Sequence, residues 1–361
     1  MRHTEKHLHR LGLLLATSGA RVRRLAAQST GEDLLASLAE QGVPRALLQT
    51  AASLAENEAP EVLSYIGSAG WRWVIPENDD YPPLLRAISD PPLGLFVRGR
   101  LCDRKTVAVV GSRKASPYGR QVARLLGEEL GRAGLIVVSG MARGVDREAH
   151  EGALAAGGES WAVWGTGPDR VYPAEHRALA ERLAANGALL TEYPPGTPPR
   201  RHHFPERNRI LAGVASAVVV VEAAARSGAL VTARLALEEG REVLAVPGNI
   251  FSELSVGPNT LLRVGARPLL TPRDLFDAVG ESPVQADIKG TEDGLLEHIP
   301  MAQALTADDI AARSGAPVEE VLAELLRLEL SGDLQRESDG RYLRSKARIP
   351  GGSAPRGSGG L

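Results

Sequence analysis

The stretch RRHHFPERNR, Arg200 to Arg209, sets one phenylalanine among four arginines and two histidines. The chain holds only four phenylalanines in 361 residues, and its formal net charge is −2. An aromatic ring beside cations is the chemistry of single-stranded nucleic acid: the cations take phosphates and the ring face stacks an unpaired base. A duplex hides its base faces, so this combination favours single strands. The residues leave a second role open for Phe204, that of a staple packing the start of its own helix. Asn208 and Arg209 could likewise serve only to bond back to the turn.

Three further segments could bind anions. GSRKASPYG places Gly111, Ser112, Arg113 and Lys114 in a turn between an apolar strand and a helix start. SGMARGVDREAH repeats the pattern with Gly140 and Arg143, and EAAARSGALVTA with Ser227 and Gly228. Free backbone N–H groups and the dipole make such helix starts anion sites. Taken singly, each glycine could merely make a tight turn. Three such loops at the same ends of parallel strands should converge on one phosphate-binding crevice.

Other chemistries find little support. No Gly-x-x-x-x-Gly-Lys-Ser/Thr motif occurs, and GTGPDR, Gly165 to Arg170, keeps only part of the dinucleotide fingerprint and follows the third strand. Asp146 and His150 sit four apart on one helix and read as a hydrogen-bonded pair rather than a catalytic one. Glu192 and Glu222 end buried strands near the expected crevice; they could be general bases, although carboxylates at strand ends often cap turns or hold arginines. His202 and His203 have no metal-ligand partners at recognisable spacing. No metal, cofactor or catalytic residue is expected.

The elements that must position these loops are legible as runs. TVAVV, LIVVS, SWAVWG, ALLTE, AVVVVE and EVLAVPG alternate with helix-like segments beginning near Pro117, Gly144, Ala174, Phe204 and Gly228. Unbroken apolar strands imply burial on both faces. The pattern predicts an α/β fold: an extended Rossmann-like, doubly wound, mostly parallel sheet over residues 71–280. Residues 1–70, rich in Ala and Leu at helical spacing, predict a small helical domain like those of the SAM or helix-hairpin-helix type. A polar linker follows at 281–293. Residues 294–345 carry three helix signals and a hairpin around Asp339-Gly340, the order of a winged helix. The tail at 346–361 is low in complexity and expected to be disordered.

Composition narrows the setting. Lys and Arg total 42 against 44 Asp and Glu, so any basic site must be local. Cys102 is the sole cysteine, which precludes an internal disulfide and suits a cytoplasmic location. The N-terminal MRHTEKHLHRLGLLLA reads as a first core helix, and no apolar run is long enough to span a membrane.

Read in order, GSRKASPYG, SGMARGVDREAH, GTGPDRVYPAEH, TEYPPGTPPRRHHFPERNRILAG, VVVVEAAARSGALVTARLALEEGREVLAVPGNI and SVGPNTLLRVGA resemble the DNA-processing protein A family, also called Smf, from about Trp71 through Leu275. The resemblance implies a dimer that binds and protects single-stranded DNA and loads the RecA recombinase onto it in natural transformation. By motif it assigns the DNA pocket to Gly111, Ser112, Arg113, Arg201 and Phe204, with Asn208 and Arg209 in support. Other members carry Lys at the position of Arg201 and Asn at that of His176. The apolar NTLLRVGARPLL, with Leu261, Leu262 and Leu269, is a possible dimer contact.

The acidic helix PVEEVLAELLRLEL holds Glu319, Glu320, Glu324 and Glu329 against Arg327 alone, so it should face protein rather than duplex DNA. The wing's Arg336, Arg341 and Arg344 leave room for weak backbone contact. The competing reading is a phosphoribohydrolase-like enzyme on a related sheet, although its Pro-Gly-Gly-x-Gly-Thr signature is missing. A dinucleotide-dependent oxidoreductase is a weaker third.

Overall fold

The computed structural model describes residues 4–17, 19–29, 33–281, 295–300, 303–331, 333–337 and 340–344. The linker expected at 281–293, apart from Glu281, and the tail expected at 346–361 lie outside them. The chain divides into two compact units, Met1–Val284 and Gln285–Leu361.

The first unit opens with α1 (Glu5–Ala16), α2 (Ala20–Gln28), α3 (Leu34–Glu40), α4 (Arg45–Asn57) and α5 (Ala59–Ser68). The middle of α1 is covered on more than one face, with Leu11, Leu13 and Leu14 all buried. This helical segment shares its core with the sheet. Leu11, Leu38 and Ile66 belong to one apolar cluster with Trp73, Phe96, Trp164 and Leu189. Next come β1 (Arg72–Val74), the single-turn α6 (Pro83–Arg86) and β2 (Leu95–Gly99).

Regular alternation then begins with β3 (Thr106–Val110), α7 (Pro117–Arg132), β4 (Ile136–Ser139), α8 (Val145–Ala155), β5 (Ser160–Val163) and α9 (Arg177–Ala185). It continues through β6 (Gly187–Thr191), α10 (His203–Val214), β7 (Ala217–Val220), α11 (Gly228–Glu238), β8 (Glu242–Ala245), α12 (Val256–Arg263), β9 (Arg267–Pro268) and α13 (Pro272–Val279). Every predicted strand run has become a strand. Those from β3 to β7 are buried throughout, as double-sided coverage requires. Each fully buried Val or Leu among them contributes about 1.5–3 kcal/mol relative to exposure.

Among the described residues the sheet has nine strands in the order β1-β2-β6-β5-β4-β3-β7-β8-β9. The strands from β6 to β9 are parallel to their neighbours, while β2 pairs antiparallel with both β6 and β1. Strand order reverses at β3. The chain steps outward from β3 to β6, then crosses back to place β7 on the other side of β3. In open α/β sheets the crevice outside such a switch point is where ligands bind.

The second unit holds α14 (Ala307–Ser314), α15 (Val318–Ser331) and the antiparallel pair β10 (Leu334–Arg336) and β11 (Tyr342–Arg344). Thr306 and Asp309 cap the start of α14 reciprocally. Leu305 bridges to Tyr342, and Ile310, Val321, Leu325 and Leu328 form the small core. The first predicted helix, LLEHI, is only a single 3-10 turn at Leu296–His298. This unit is a winged helix.

Candidate nucleic-acid interface

The loop after β3 is held by a carboxylate from the neighbouring strand. Ser116 caps α7: its Oγ accepts from Gly119 N at 3.1 Å and donates to Glu222 Oε1 at 2.6 Å. Ser116 N donates to Glu222 Oε2 at 2.9 Å. Glu222, two residues past the end of β7, thus ties the loop after β3 to the neighbouring strand end. Within the loop, Gly111 cannot be replaced without collision, because a Cβ there would lie 2.6 Å from Val145 Cγ2 and 2.9 Å from Glu222 O. Gly144, before α8, has φ +76°, and its Cβ would meet Ser112 O at 2.2 Å. Glycine therefore lets the turns after β3 and β4 touch.

These turns converge as expected. A cavity of about 710 Å³ is lined by Gly111, Ser112 and Arg113 after β3, Ala142 and Asp146 after β4, and Tyr172 after β5. Arg201, Phe204, Arg207 and Asn208 complete it from α10 and its lead-in, with Arg226, Ser227 and Gly228 after β7. A smaller cavity of about 240 Å³ adjoins it, lined by Lys114, Gly140, Arg143 and Pro173 and by the shared residues Arg113, Ala142, Tyr172, Phe204 and Arg207. Of the twelve binding residues read from the sequence, all but Arg209 line one or both cavities.

Phe204 stands where the two cavities meet. It is half-buried, and its ring packs on Tyr172 with centroids 5.4 Å apart and on the backbone of Gly165. The Arg113 guanidinium lies over that ring at 5.0 Å. The ring therefore faces the crevice rather than the start of its own helix. Asn208 Nδ2 donates to Gly228 O at 3.1 Å, tying α10 to the first turn of α11. Ser227 caps that helix through Ala229 N.

Four arginines, Arg113, Arg201, Arg207 and Arg226, line the large cavity against one carboxylate, Asp146. Asp146 is buried, its Oδ2 accepting from Gly140 N at 3.1 Å and Ala142 N at 3.3 Å. Burial pushes its carboxyl above the usual range, and the Arg207 charge pulls it back. Burial likewise draws the Arg207 guanidinium down to about 10, so it stays charged at neutral pH. Its Nη1 donates to Gly140 O at 3.2 Å and to Val163 O. A fixed cation on a water-poor floor acts more strongly on an anion than the same charge in solvent.

Arg207, Arg226 and Tyr172 were not among the residues read from the sequence. The signal for Arg207 is its spacing: Phe204, Arg207 and Asn208 fall at i, i+3 and i+4 on one helix face. Arg226 sits in the third glycine loop itself. Tyr172 has no local signal, because only the packing of the β5 loop brings it to Phe204.

Several expectations are corrected. Arg209 does not reach the crevice. It pairs with Glu192, and its Nε lies 3.3 Å from Asp90 Oδ2, which also holds Arg23 at 2.7 Å. Five residues after Phe204, it lies about 140° around the helix from it. Asp146 and His150 do not bond each other. His150 Nδ1 meets Ser160 Oγ at 2.7 Å, and burial lowers its pKa to about 3. Leu269 is buried in the sheet's own core, so it is no free contact; Val264 and Leu270 beside it are exposed. Glu192 and Glu222 hold an arginine and a turn, one of the two roles expected of them. Among the described residues no acidic, His or Cys cluster could hold a metal ion, and no helix is long and apolar enough to cross a membrane.

The fold and crevice define a class: a Rossmann-like protein with an arginine-lined crevice, an aromatic ring at its edge, at the switch point of its sheet. A family model for DNA recombination-mediator protein A matches residues 72–280, and the chain belongs to that family. A model for the DprA winged helix domain matches residues 289–340.

The chain is 41% identical to "Protein Smf" of Escherichia coli over 273 residues, covering 71% of this chain and 73% of that protein. It is similar to the X-ray structure of DNA processing protein A (DprA) from Streptococcus pneumoniae, with TM-score 0.67 and 33% identity over 77% of this chain and 98% of that chain. It is also similar to DNA processing protein A from Helicobacter pylori, with TM-score 0.53 and 29% identity over 57% of this chain and 94% of that chain. That structure concerns the single-stranded DNA binding mode of the Helicobacter protein.

Proposed function

We propose that this protein binds single-stranded DNA in the switch-point crevice, protects it, and loads a RecA-type recombinase onto it in transformation and recombination. The observation that carries this reading is the half-buried Phe204 ring, capped by Arg113 at 5.0 Å, at the mouth of the four-arginine cavity. The ring stacks an unpaired base while the guanidiniums take its phosphates. Backbone N–H groups at the start of α11 add further positive potential. The reading is non-enzymatic. The strand-end carboxylates that a hydrolase would use are bound elsewhere, Glu222 to Ser116 and Glu192 to Arg209. The named relatives, among them a DNA processing protein with a described single-stranded DNA binding mode, support the same role.

The protein works as a homodimer in the cytoplasm, with Leu261, Leu262, Val264 and Leu270 at its contact. The acidic helix α15 serves protein contact: Val318, Leu322 and Leu326 are exposed on it at four-residue intervals.

The test is a competition between single- and double-stranded DNA, with and without RecA. Preference for single strands, and faster RecA filament growth on coated strands, are expected; equal affinity for both forms sinks the reading. The log–log salt slope should be roughly −0.7 per phosphate contact. Release of free base from nucleotides, followed by mass spectrometry, would instead favour the hydrolase.

A further inference from the structure

The small cavity beside Phe204 continues the main crevice past the ring. It is lined by four cations, Arg113, Lys114, Arg143 and Arg207, and by no carboxylate. Tyr172, 41% exposed, presents a second aromatic face beside the Phe204 ring. Cation and aromatic therefore recur here in the pairing that defines the main crevice. One feature sets it apart. Arg143 is already engaged, with Nε 2.5 Å from Glu175 Oε1 and Nη2 2.6 Å from Glu175 Oε2. This two-pronged geometry is the one a guanidinium offers to phosphate.

The pair is solvent-exposed on both sides, with side-chain exposures of 61% and 52%. It is therefore weak and screened by salt. The backbone at Glu175 is anchored by the adjacent His176, which is buried with Nδ1 2.9 Å from Met141 O, while the Glu175 side chain stays exposed. That bond ties the turn after β5 to the loop after β4, which carries Arg143.

We propose that this cavity takes the neighbouring nucleotide of the strand held at Phe204, and that Glu175 is its gate. The incoming phosphate displaces the Glu175 carboxylate from Arg143 and is shared with Lys114, while the base lies against Tyr172. Glu175 thus acts as a phosphate mimic in the free protein. It keeps the arginine oriented, and only a strand long enough to reach both cavities has to displace it. The proposal rests on the single-stranded DNA reading of the crevice.

The experiment measures the affinity of the full chain for dTMP and for a short oligo-dT, and takes the ratio of the two. In Glu175→Gln the oligonucleotide-to-mononucleotide ratio should rise, by about twofold to fivefold, because a weak exposed competitor is removed. In Arg143→Ala the ratio should fall. A gain of affinity cannot come from misfolding, so the Gln variant keeps the test clean. An unchanged ratio in Glu175→Gln overturns the gate. So does equal tightening of both ligands, which marks only the loss of a distant negative charge. If Phe204→Ala weakens binding while both ratios stay at the wild-type value, the crevice reading stands and the second site falls. If the wild-type chain binds no oligonucleotide, the crevice reading itself falls.

Discussion

The two faces of α10 make opposite use of the same residue type. One face turns Phe204, Arg207 and Asn208 toward the crevice. The other turns Arg209 inward, where Glu192 and Asp90 neutralise it and Asp90 reaches on to Arg23 of α2. Arginine is thus a ligand group on one face and a brace on the other. What separates the roles is the company of carboxylates: the crevice has only Asp146, which burial pushes toward its neutral form. A basic stretch in a near-neutral protein is therefore not a uniform patch but a set of charges sorted by helix phase.

Substitutions can break that division. The largest effect is expected on the braced face. Arg209→Met leaves Glu192 buried without its partner and should cost about 3–5 kcal/mol of stability. Denaturant unfolding measures this loss, while DNA affinity at low temperature stays near wild type. A loss of affinity with stability intact would place Arg209 in the binding site after all. On the crevice face, Phe204→Ala should weaken single-strand binding by about 1–3 kcal/mol through lost stacking, with the melting temperature little changed. Arg113→Ala should act in the same direction. Normal affinity in both variants would remove the crevice from the mechanism.

Acid separates the two properties in another way. The cations of the large cavity are all guanidiniums, so affinity should be flat between pH 6 and 8, as titration of binding would show. Stability behaves differently because His150 is buried neutral, with its pKa lowered from 6.5 to about 3. Above pH 6.5 the imidazole is neutral in both folded and unfolded chains. Below it, only the unfolded chain takes up the proton, so stability falls with decreasing pH down to about 3. The slope from this group is about 1.4 kcal/mol per pH unit. His150→Gln should remove that component from the unfolding curve measured between pH 6.5 and 5. An unchanged slope would show that His150 is hydrated or charged in the folded state. The smallest effect is expected in the winged helix. Leu322→Glu on the exposed stripe of α15 should change stability by no more than about 0.5 kcal/mol and leave single-strand affinity unaltered, as an anisotropy titration would report.

Much of the fold was legible because buried parallel strands leave an unmistakable mark. The runs TVAVV and AVVVVE need no partner to be recognised, since double-sided burial forbids polar alternation. The glycine loops were legible for a similar local reason: Gly111 and Gly144 stand where a side chain would collide or φ is positive. Strand β2 was not legible as part of the sheet. LFVRG could be any short extended piece, and its antiparallel pairing with β6 depends on where the helical segment and Trp73 come to rest. The winged helix was read from element order, and its first element shrank to a single turn because a short apolar run does not specify its own length.

The chain alone determined which residue types stand at which spacing: three glycine turns, a Phe among arginines, an acidic last helix. Those facts are local, and local backbone chemistry suffices to read them. The tertiary structure decided which charges are available. Arg143 and Arg209 look alike in the sequence, yet each is paired with a carboxylate well away along the chain, Arg143 with Glu175 and Arg209 with Glu192. Burial then separates them: an exposed pair can be exchanged for a phosphate, whereas a buried one is held by the cost of leaving a charge without a partner. Tyr172 came to the crevice by loop packing alone. Charge pairing and burial are properties of three-dimensional neighbourhoods, and spacing along the chain carries no measure of either.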